Sequence, residues 1–504
     1  MPIKKLSIII PLLGYLFGQT TGKISGSITD KITSESLPGT NIYLEQTPYG
    51  TASDRDGRFS IINIPPGNYT LKVDMIGYKS IRLEAVKISV NRTLSLDIEM
   101  EQTVIEGEVV TVEVARMAQK KDQTGTIKNI SGDEINALAV ESVGSVINMQ
   151  AGVVNGHFRG GRNTEVTYMI DGVQVDETFG GSSAAVEIQP EAVQDLEVIT
   201  GTFNAEYGRA MSGVVNVVTR DGGPKFEGFA SAGLSFYQTP NTDIFIGLSS
   251  DLNRRMWEDV NSSKDFKFSL GGPLLGDKIT FFTNVRVQDN KGHLNGHRIF
   301  TVTDSSYFYS DDPSEWTSSK SGDSSYVPMN TGENLSALLK LSFKLFDGLR
   351  FSYLYSKSDE AYFGYDHGFK YNPDGRAGSY KETSYSSYQL NYMINPKLFF
   401  ELKMSYLDNY TGNYLFKDPL DYSIDEVGDT VYSYIHDKYL ENYGSGFFTG
   451  GQQKNHSILS MIDETFKFDL NWQANYNHNI KLGLLKISHD VDQQWREIRN
   501  KYDG

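Results

Sequence analysis

The residues whose types and spacing could bind an anion lie at 158–176, in the sequence FRGGRNTEVTYMIDGVQVD. Arg159 and Arg162 flank the glycines Gly160 and Gly161, a combination that could hold phosphate. A phosphate loop needs its glycines between a strand and a helix N-terminus, so that backbone N–H groups and the helix dipole meet at the anion. Here the glycines lie between two predicted strands, and no Lys-Ser or Lys-Thr pair follows. We therefore interpret them as turn glycines, with both arginines reaching carboxylates across an interface.

Other residues with chemical potential give no enzyme pattern. His293 and His297 have the i, i+4 spacing of a zinc site, but HLNGH lacks the glutamate of a zinc protease. DRDGRF (54–59) begins like a calcium loop, yet Pro65 stands where the twelfth-position glutamate belongs, so we predict a turn. The chain has no cysteine and no G-x-S-x-G, Walker or Rossmann motif. The sequence predicts no catalysis, no metal site and no cofactor.

The charge balance argues against nucleic acid as a partner, and the first residues indicate the compartment. A net charge of −16 leaves no basic surplus for nucleic acid. Lys4 and Lys5 precede an apolar run at 6–17, which is too short to span a bilayer and is followed by Gly18 and polar residues. This layout is typical of a signal peptide (1–18), with a buried N-terminal helix as the alternative. Later residues lack a run long enough for a membrane helix, so entry into a membrane would require a closed barrel.

Residues 23–100 alternate between apolar and polar positions and are separated by Pro-Gly, Asp-Gly and Pro-Pro-Gly turns, which predicts a small β-sandwich. Tyr69, Leu71 and Val73 should face inward. The motifs LPGTNIYL, TASDRDGRF and PPGNYTL resemble those of carboxypeptidase-regulatory-like domains, which implies a non-catalytic module. An exported carboxypeptidase is a rival interpretation, but it would need a His and Glu zinc constellation that the sequence lacks.

Residues 131–223 predict a compact α+β block. Ser131 and Glu134 form a capping box at the start of a helix, along which Leu138, Val143 and Ile147 recur at helical spacing. Short apolar strands follow in EVTYMIDGVQV, VQDLEVITG and SGVVNVVTRDGG, and Asp171-Gly172 is predicted to turn the first of them into a hairpin.

The block resembles the plug domain of TonB-dependent outer-membrane receptors. The matching motifs are VGSVINMQAGVV, FRGGR, YMIDGVQVD, VQDLEVITG and NAEYGRAMSGVVNVVTRDGG, the last being closest to the Oar-like branch. The resemblance implies a plug at 117–223, with Arg159, Arg162, Glu206 and Arg209 as candidates for charge pairs with a barrel. The plug motif residues are Arg159, Gly160, Gly161, Arg162, Asp171, Gly172, Glu206, Tyr207, Gly208 and Arg209.

The resemblance also implies a TonB box in the linker at 101–116. The candidate residues are Glu108, Val109, Val110, Thr111 and Val112. An extended segment with free backbone groups can add as a strand to a partner's sheet. The alternative is that these residues form a final strand of the sandwich.

Residues 224–504 show the alternation of membrane strands. Apolar Leu339, Leu341, Phe343 and Leu345 are interleaved with Lys340, Ser342 and Lys344. Short predicted turns at 272–277, 347–348, 395–397 and 475–478 alternate with long polar stretches at 238–263, 289–333, 357–384 and 408–461. This alternation is typical of outer-membrane barrels. We count about nine strands, the last near 479–488, and we expect the N-terminal portion of a longer receptor because a single-chain barrel needs an even number.

The sequence therefore predicts a mainly β chain with an N-terminal β-sandwich, an α+β plug and an incomplete transmembrane antiparallel β-barrel. The expected function is energised uptake of an unidentified ligand by an outer-membrane receptor. Its partners would be a TonB-type energy-transducing protein and outer-membrane lipid, without nucleic acid. The alternative is a surface binding or adhesion protein that does not transport.

Overall fold

A computed structural model describes residues 21–103, 109–113, 126–177, 184–201, 203, 207, 210–250, 259–276, 278–346, 348–420, 422–424, 430–439 and 446–499. The signal peptide prediction lies outside these residues. In the described part, strands dominate and the two α-helices are one to two turns long. No described helix combines the length and the apolar character that a membrane crossing would need.

The N-terminal domain is a sandwich of two sheets, with strand orders β4-β1-β7 and β3-β2-β5-β6-β8. Its first strand alternates strictly between buried and half-buried residues, and Leu71 and Val73 are fully buried as predicted. The DRDGRF segment forms a turn in which Asp54 Oδ1 accepts from the N–H groups of Asp56 and Arg58. The strands are β1 (Gly22–Asp30), β2 (Asn41–Leu44), β3 (Gly50–Ala52), β4 (Arg58–Ile64), β5 (Gly67–Asp74), β6 (Ser80–Ile88), β7 (Thr93–Met100) and β8 (Val109–Glu113).

Strand β8 contains four of the five residues proposed for the TonB box. It pairs in parallel with β6, from Ser80 opposite Val109 to Glu84 opposite Glu113. The segment is therefore extended, and it forms the outer strand of the five-stranded sheet. This is the strand placement that the alternative interpretation expected, so the N-terminal domain continues past residue 100.

The plug is built on a mixed five-stranded sheet of order β13-β12-β15-β14-β9. The capping box at Ser131 and Glu134 is present. The single helix expected from Leu138, Val143 and Ile147 is wrong: the chain leaves the helical path at Ala137, Leu138 is exposed, and Ser142 caps a second helix. The elements are β9 (Thr126–Ser131), α1 (Gly132–Asn136), α2 (Val143–Asn148), β10 (Val153–Val154), β11 (His157–Phe158), β12 (Val166–Ile170), β13 (Val173–Gln174), β14 (Val193–Thr200) and β15 (Gly213–Thr219).

The third part is a nine-stranded antiparallel sheet, here called the barrel wall, with order β16-β17-β18-β23-β24-β25-β26-β29-β30. The predicted strand number is confirmed, and the turns predicted at 347–348, 395–397 and 475–478 coincide with junctions between consecutive strands. The turn predicted at 272–277 comes later, because residues 272–275 continue a strand that ends at Leu275. The elements are β16 (Glu227–Ser235), β17 (Ser263–Leu275), β18 (Ile279–Lys291), β19 (Asn295–His297), β20 (Ser306–Tyr307), β21 (Thr317–Ser318), β22 (Tyr326–Pro328), β23 (Thr331–Phe346), β24 (Leu349–Phe363), β25 (Gly378–Asn395), β26 (Leu398–Tyr414), β27 (Tyr422–Ile424), β28 (Thr430–Tyr432), β29 (Asn455–Asn475) and β30 (His478–Glu497).

The barrel wall buries polar residues and exposes apolar ones, the inverse of a soluble sheet. On β23, Leu339 is 36% exposed and Leu345 59%, whereas Lys340 is 5% and Ser342 7% exposed. The outward apolar run covers 335–345 on β23 and 398–406 on β26, close to the ~10 residues that a tilted membrane strand needs. Several strands continue beyond this run, which is why they are longer than the sequence predicted.

Candidate functional site: the contact between plug and barrel wall

The hairpin turn between β12 and β13 is the point where the plug is held most closely. Asp171 and Gly172 both have left-handed backbones, with φ of 48° and 76°, as a tight Asp-Gly hairpin turn requires. The Asp171 carboxylate accepts from the Thr219 N–H at 2.9 Å and from the Thr219 hydroxyl at 2.7 Å. The Gly172 N–H donates to Asn216 Oδ1 at 3.1 Å. The turn is thus fixed to β15 before it meets the barrel wall.

Three lysines from the barrel wall converge on this turn. Lys340 Nζ donates to Asp171 Oδ2 at 3.1 Å, Lys403 Nζ to the Asp171 carbonyl at 3.0 Å, and Lys467 Nζ to the Gly172 carbonyl at 2.9 Å. All three side chains are at most 6% exposed. We call Asp171, Gly172, Lys340, Lys403 and Lys467 together the turn lock. Because each lysine comes from a different strand, closing the lock requires the assembled sheet.

The charges of the turn lock are balanced by acids on the same strands. Glu401 lies 3.3 Å from Lys403, and Asp469 lies 3.5 Å from Lys467. The two acids face each other across β26 and β29, as do the two lysines. Desolvating charges is costly unless they are paired and hydrogen-bonded. The arrangement therefore provides a neutral polar patch that can stay buried beneath the plug.

A second contact joins the end of the plug to β23 and β24. Asp221 pairs with Arg350, accepts from Ser342 Oγ at 2.7 Å and lies 3.5 Å from Lys340. Burial acts to raise the pKa of Asp221, but the charges of Arg350 and Lys340 outweigh it and hold that pKa well below its usual range. Asp221 therefore stays ionised at this contact.

A third contact lies beside the second plug helix. Arg286 Nη2 donates at 2.7 Å to both Glu141 of the plug and Asp265 of the barrel wall. Lys267 also reaches Glu141, at 2.8 Å. Elsewhere, Lys381 Nζ donates to Glu177 at 2.9 Å. These ion pairs between plug and barrel wall thus join acids on the plug to bases on the wall.

The arginines predicted to form these pairs have their described contacts within the plug. Arg159 Nη2 donates to Thr126 Oγ1 at 2.7 Å, and its guanidinium packs against Gly201. Arg162 is exposed, and its backbone N–H donates to Glu165. Gly160 has a positive φ of 79°, which supports the turn interpretation of the two glycines. The carboxylates Asp171, Asp221, Glu141 and Glu177 carry the contacts instead, and sequence reasoning named only the first of these.

The remaining motif residues lie partly outside the described part. Glu206, Gly208 and Arg209 are not described, and neither are Glu108 or the side chains of β8. Tyr207 is buried, and its hydroxyl accepts from Asn91 Nδ2 at 3.2 Å. Since Asn91 belongs to the N-terminal domain, Tyr207 lies in an interdomain contact.

The N-terminal domain docks on the outer strands of the plug sheet. The Val90 N–H donates to Asp195 Oδ2 at 3.0 Å, and Arg92 donates at 2.6 Å both to Asn129 Oδ1 and to the Ile127 carbonyl. Asp195 is 3% exposed. Burial raises the pKa of Asp195 to about 6, against the lowering effect of the hydrogen bonds that it accepts from Val90 and Asn129. The segment from Val90 to Arg92 therefore contacts an acid that titrates near neutrality.

Within the described residues, no group of three or more His, Asp or Glu side chains is arranged to hold a metal ion. The polar chemistry of this site is hydrogen bonding and ion pairing, and beside it the wall residues Leu338, Leu354 and Leu407 pack in one apolar cluster with the plug core.

Comparisons with known proteins agree with this architecture. The model of the CarboxypepD_reg-like domain matches residues 24–112, and that of the TonB-dependent receptor plug domain matches residues 119–215. The outer membrane transporter YddB from Escherichia coli shares the fold, with a TM-score of 0.50 at 12% identity over 72% of this chain and 48% of that one. The chain thus has the domain order and the fold of plugged outer-membrane receptors, as the sequence predicted.

Within that class, the resemblance to Oar-like TonB-dependent receptors is confirmed. The TonB-dependent transporter Oar of Myxococcus xanthus is 27% identical over 329 residues, which are 58% of this chain and 29% of that protein. The TonB-dependent receptor P3 of Formosa agariphila is 26% identical over 43% of this chain and 22% of that protein. The chain thus spans less than a third of the length of these curated relatives, which are receptors and transporters.

Proposed function

We propose that this chain is part of a receptor that takes up a ligand across the outer membrane, using force supplied by a TonB-type energy-transducing protein. The observation that carries the proposal is the turn lock. Ion pairs and hydrogen bonds that hold the plug at its central turn can be exchanged for contacts with water, so this part of the plug can release and re-form its contacts. The outward apolar run of the barrel wall would face outer-membrane lipid.

Strand order supports the route by which force would reach the plug. The linker after β8 leads directly into β9, which is an outer strand of the plug sheet. Strand β9 pairs with β14 over six residues, from Thr126 opposite Thr200 to Ser131 opposite Asp195. Tension on the linker would therefore act on β9 before it acts on the inner strands β12 and β15, which adjoin the turn lock.

The candidate TonB box (108–112) would be the point where the partner engages. Strand β8 is already extended, and among the described strands it pairs on one side only, so a partner strand could add on the other side through main-chain hydrogen bonds. We keep residues 117–223 and 224–504 as plug and barrel, and we assign β8, which falls within the predicted linker 101–116, to the N-terminal domain.

The test is a matched pair of substitutions at Val110 in the receptor expressed from its native gene. Val110→Pro removes a backbone donor and should abolish site-specific cross-linking to the TonB-type protein in energised cells. Val110→Ile keeps both the donor and the strand propensity, and should cross-link like the parent. Heat-modifiable migration on gels confirms that both variants fold. Cross-linking of the proline variant at the parental level would contradict the proposal.

A further inference from the structure

Two cavities lie in series between the N-terminal domain and the plug. The outer cavity, of about 800 Å³, separates the N-terminal domain from the turn end of the barrel wall and is lined by Tyr69, Arg82 and Lys344 among others. The inner one, of about 50 Å³, reaches Asp171 and Lys340 of the turn lock. Six residues line both cavities and so form the partition between them: Tyr49, Asn63, Pro65, Asp221, Arg350 and Asn391.

A reciprocal amide pair closes part of this partition. Asn63 Nδ2 donates to Asn391 Oδ1 at 2.7 Å, and Asn391 Nδ2 donates to Asn63 Oδ1 at 2.9 Å. Asn63 belongs to the N-terminal domain and Asn391 to β25 of the barrel wall, so the pair joins two separate parts of the chain. Asn63 is 4% exposed, which makes this a buried contact and not a surface one.

The backbone at Asn63 is shaped for this contact. Asn63 has a left-handed φ of 64°, which asparagine tolerates better than most residues. It lies at an irregularity in β4, where Gly22 and Ile24 of β1 pair with Ile64 and Ile61. Bulges re-aim a side chain out of the regular alternation of a strand. Here the irregularity coincides with the residue that points into the barrel wall.

The amide pair continues into the turn lock through one uninterrupted set of contacts. Asn391 Nδ2 also donates to Glu401 Oε1 at 3.0 Å, and Glu401 Oε2 lies 3.3 Å from Lys403 Nζ. Lys403 Nζ in turn donates to the Asp171 carbonyl at 3.0 Å. Moving the N-terminal domain away would remove the first member of this set and leave Asn391, which also holds Glu401, with fewer partners beneath the plug.

From these observations we infer that the N-terminal domain is an inner gate of the receptor. In its docked position it closes the path from the lumen, and through Asn391 and Glu401 it supports the turn lock. When it swings away, the two cavities merge and the path opens beside Asp171. The inference rests on the proposed function for its physiological role, but the closed partition is a property of the folded chain alone.

The test measures access to the inner cavity with a single cysteine. These 504 residues contain no cysteine, so Ser352→Cys, at a buried residue that lines the inner cavity, introduces their only thiol. Any cysteine elsewhere in the reporter receptor is replaced by serine. The probe is N-ethylmaleimide, and the measurement is the labelling rate of the purified receptor. Replacing both amides (N63D/N391D) sets two carboxylates against each other, and should raise the rate at least tenfold.

Two matched variants separate gating from misfolding. N63K/N391D puts opposite charges at the same positions and should bring the rate back to within about threefold of the reporter parent. Asn41→Asp adds a carboxylate at an exposed residue of the same domain and should leave the rate unchanged. If N63D/N391D labels at the parental rate, or if the opposite charges fail to slow labelling while heat-modifiable migration is retained, the gate is refuted.

A second arm separates this inference from the proposed function. In intact cells, the reporter cysteine should label faster when the inner membrane is energised than after treatment with a protonophore. Equal rates in the two conditions would count against energised opening, whereas the results with purified receptor would still decide whether the N-terminal domain closes the path.

Discussion

The turn lock makes a quantitative prediction for Asp171→Asn. The substitution keeps the size of the side chain, and asparagine accepts the left-handed backbone at this position. One oxygen can still accept from the Thr219 N–H, but the negative charge facing Lys340 is lost and an N–H₂ group replaces the oxygen 3.1 Å from Lys340 Nζ. The same oxygen also accepts from the Thr219 hydroxyl, which can turn to accept from the new N–H₂ group. The charge-assisted hydrogen bond from Lys340 is therefore the main loss.

The expected magnitude follows from what Lys340 retains. Its ammonium still donates to the Thr219 hydroxyl at 2.8 Å and to the Thr219 carbonyl at 3.1 Å, and it remains 3.5 Å from Asp221. The loss is thus not that of a stranded buried charge, which would be ~3–5 kcal/mol. It is that of one charge-assisted hydrogen bond, about 2 kcal/mol. The population with a released turn should rise roughly thirtyfold, since ~1.4 kcal/mol is a factor of ten.

The assay is the N-ethylmaleimide labelling rate of Ser352→Cys in the purified receptor, because Ser352 lines the cavity that reaches Asp171. The matched control is Asp133→Asn, an exposed plug acid 3.9 Å from Arg220, where a surface pair contributes at most ~1 kcal/mol and labelling should change only a few-fold. If Asp171→Asn labels no faster than Asp133→Asn, the turn lock does not hold the plug.

Three further predictions concern the parts around the lock. The pKa of Asp195 is raised to about 6, so the docked form of Asp195 binds more protons than the exposed form between pH ~4 and ~6. The thermal stability of the docked N-terminal domain should therefore fall as the pH rises through this window and level off above it. Asp195→Asn should remove that pH dependence. Ser131→Ala deletes the capping box and should cost the plug about 1 kcal/mol in urea unfolding, and no change would mean that the first plug helix is fixed by packing alone. Leu341 lies in the middle of the outward apolar run, so Leu341→Arg should destabilise the barrel by ~2–4 kcal/mol, whereas Leu345→Arg, near the turn, should cost ~0–1 kcal/mol. Equal costs of the two variants in urea titrations of micelle-bound receptor would contradict a lipid-facing run.

The barrel wall could be predicted because its signal is local. Alternating side chains, such as Leu339 and Leu341 against Lys340 and Ser342, define two faces within a few residues, and Asp-Gly or Asn-Pro marks the turns. The strands exceeded their predicted lengths for a related reason. Beyond the membrane the outward face becomes polar, as at Lys357 and Asp359, so the hydrophobic pattern stops while the hydrogen-bonded ladder continues.

The turn lock could not be predicted in the same way, since its parts are far apart in the chain. Asp171 and Lys403 are separated by 232 positions, and nothing local to either residue indicates the other. Sequence reasoning placed Lys340 on the polar face of its strand and Asp171 in a turn, but it assigned the charge pairs to Arg159, Arg162, Glu206 and Arg209, which lie in conspicuous motifs. The motif around Arg159 and Arg162 serves the plug's own turn, where Gly160 needs a positive φ.

The use of buried ions at the lock is itself informative about function. Buried ion pairs are weak evidence for stability, because an apolar replacement of similar volume is often as stable. The patch formed by Lys403, Lys467, Glu401 and Asp469 has no net charge, and its arrangement is fixed by the cross-strand pairing of β26 and β29.

When the plug turn leaves, water can replace the two backbone carbonyls that these lysines contact, while the paired acids stay in place. An apolar contact of the same area would instead expose hydrocarbon to the lumen at every release. A polar lock therefore suits a plug that must be removed and replaced repeatedly, and it explains why these charges remain where a permanently closed protein would have no need of them.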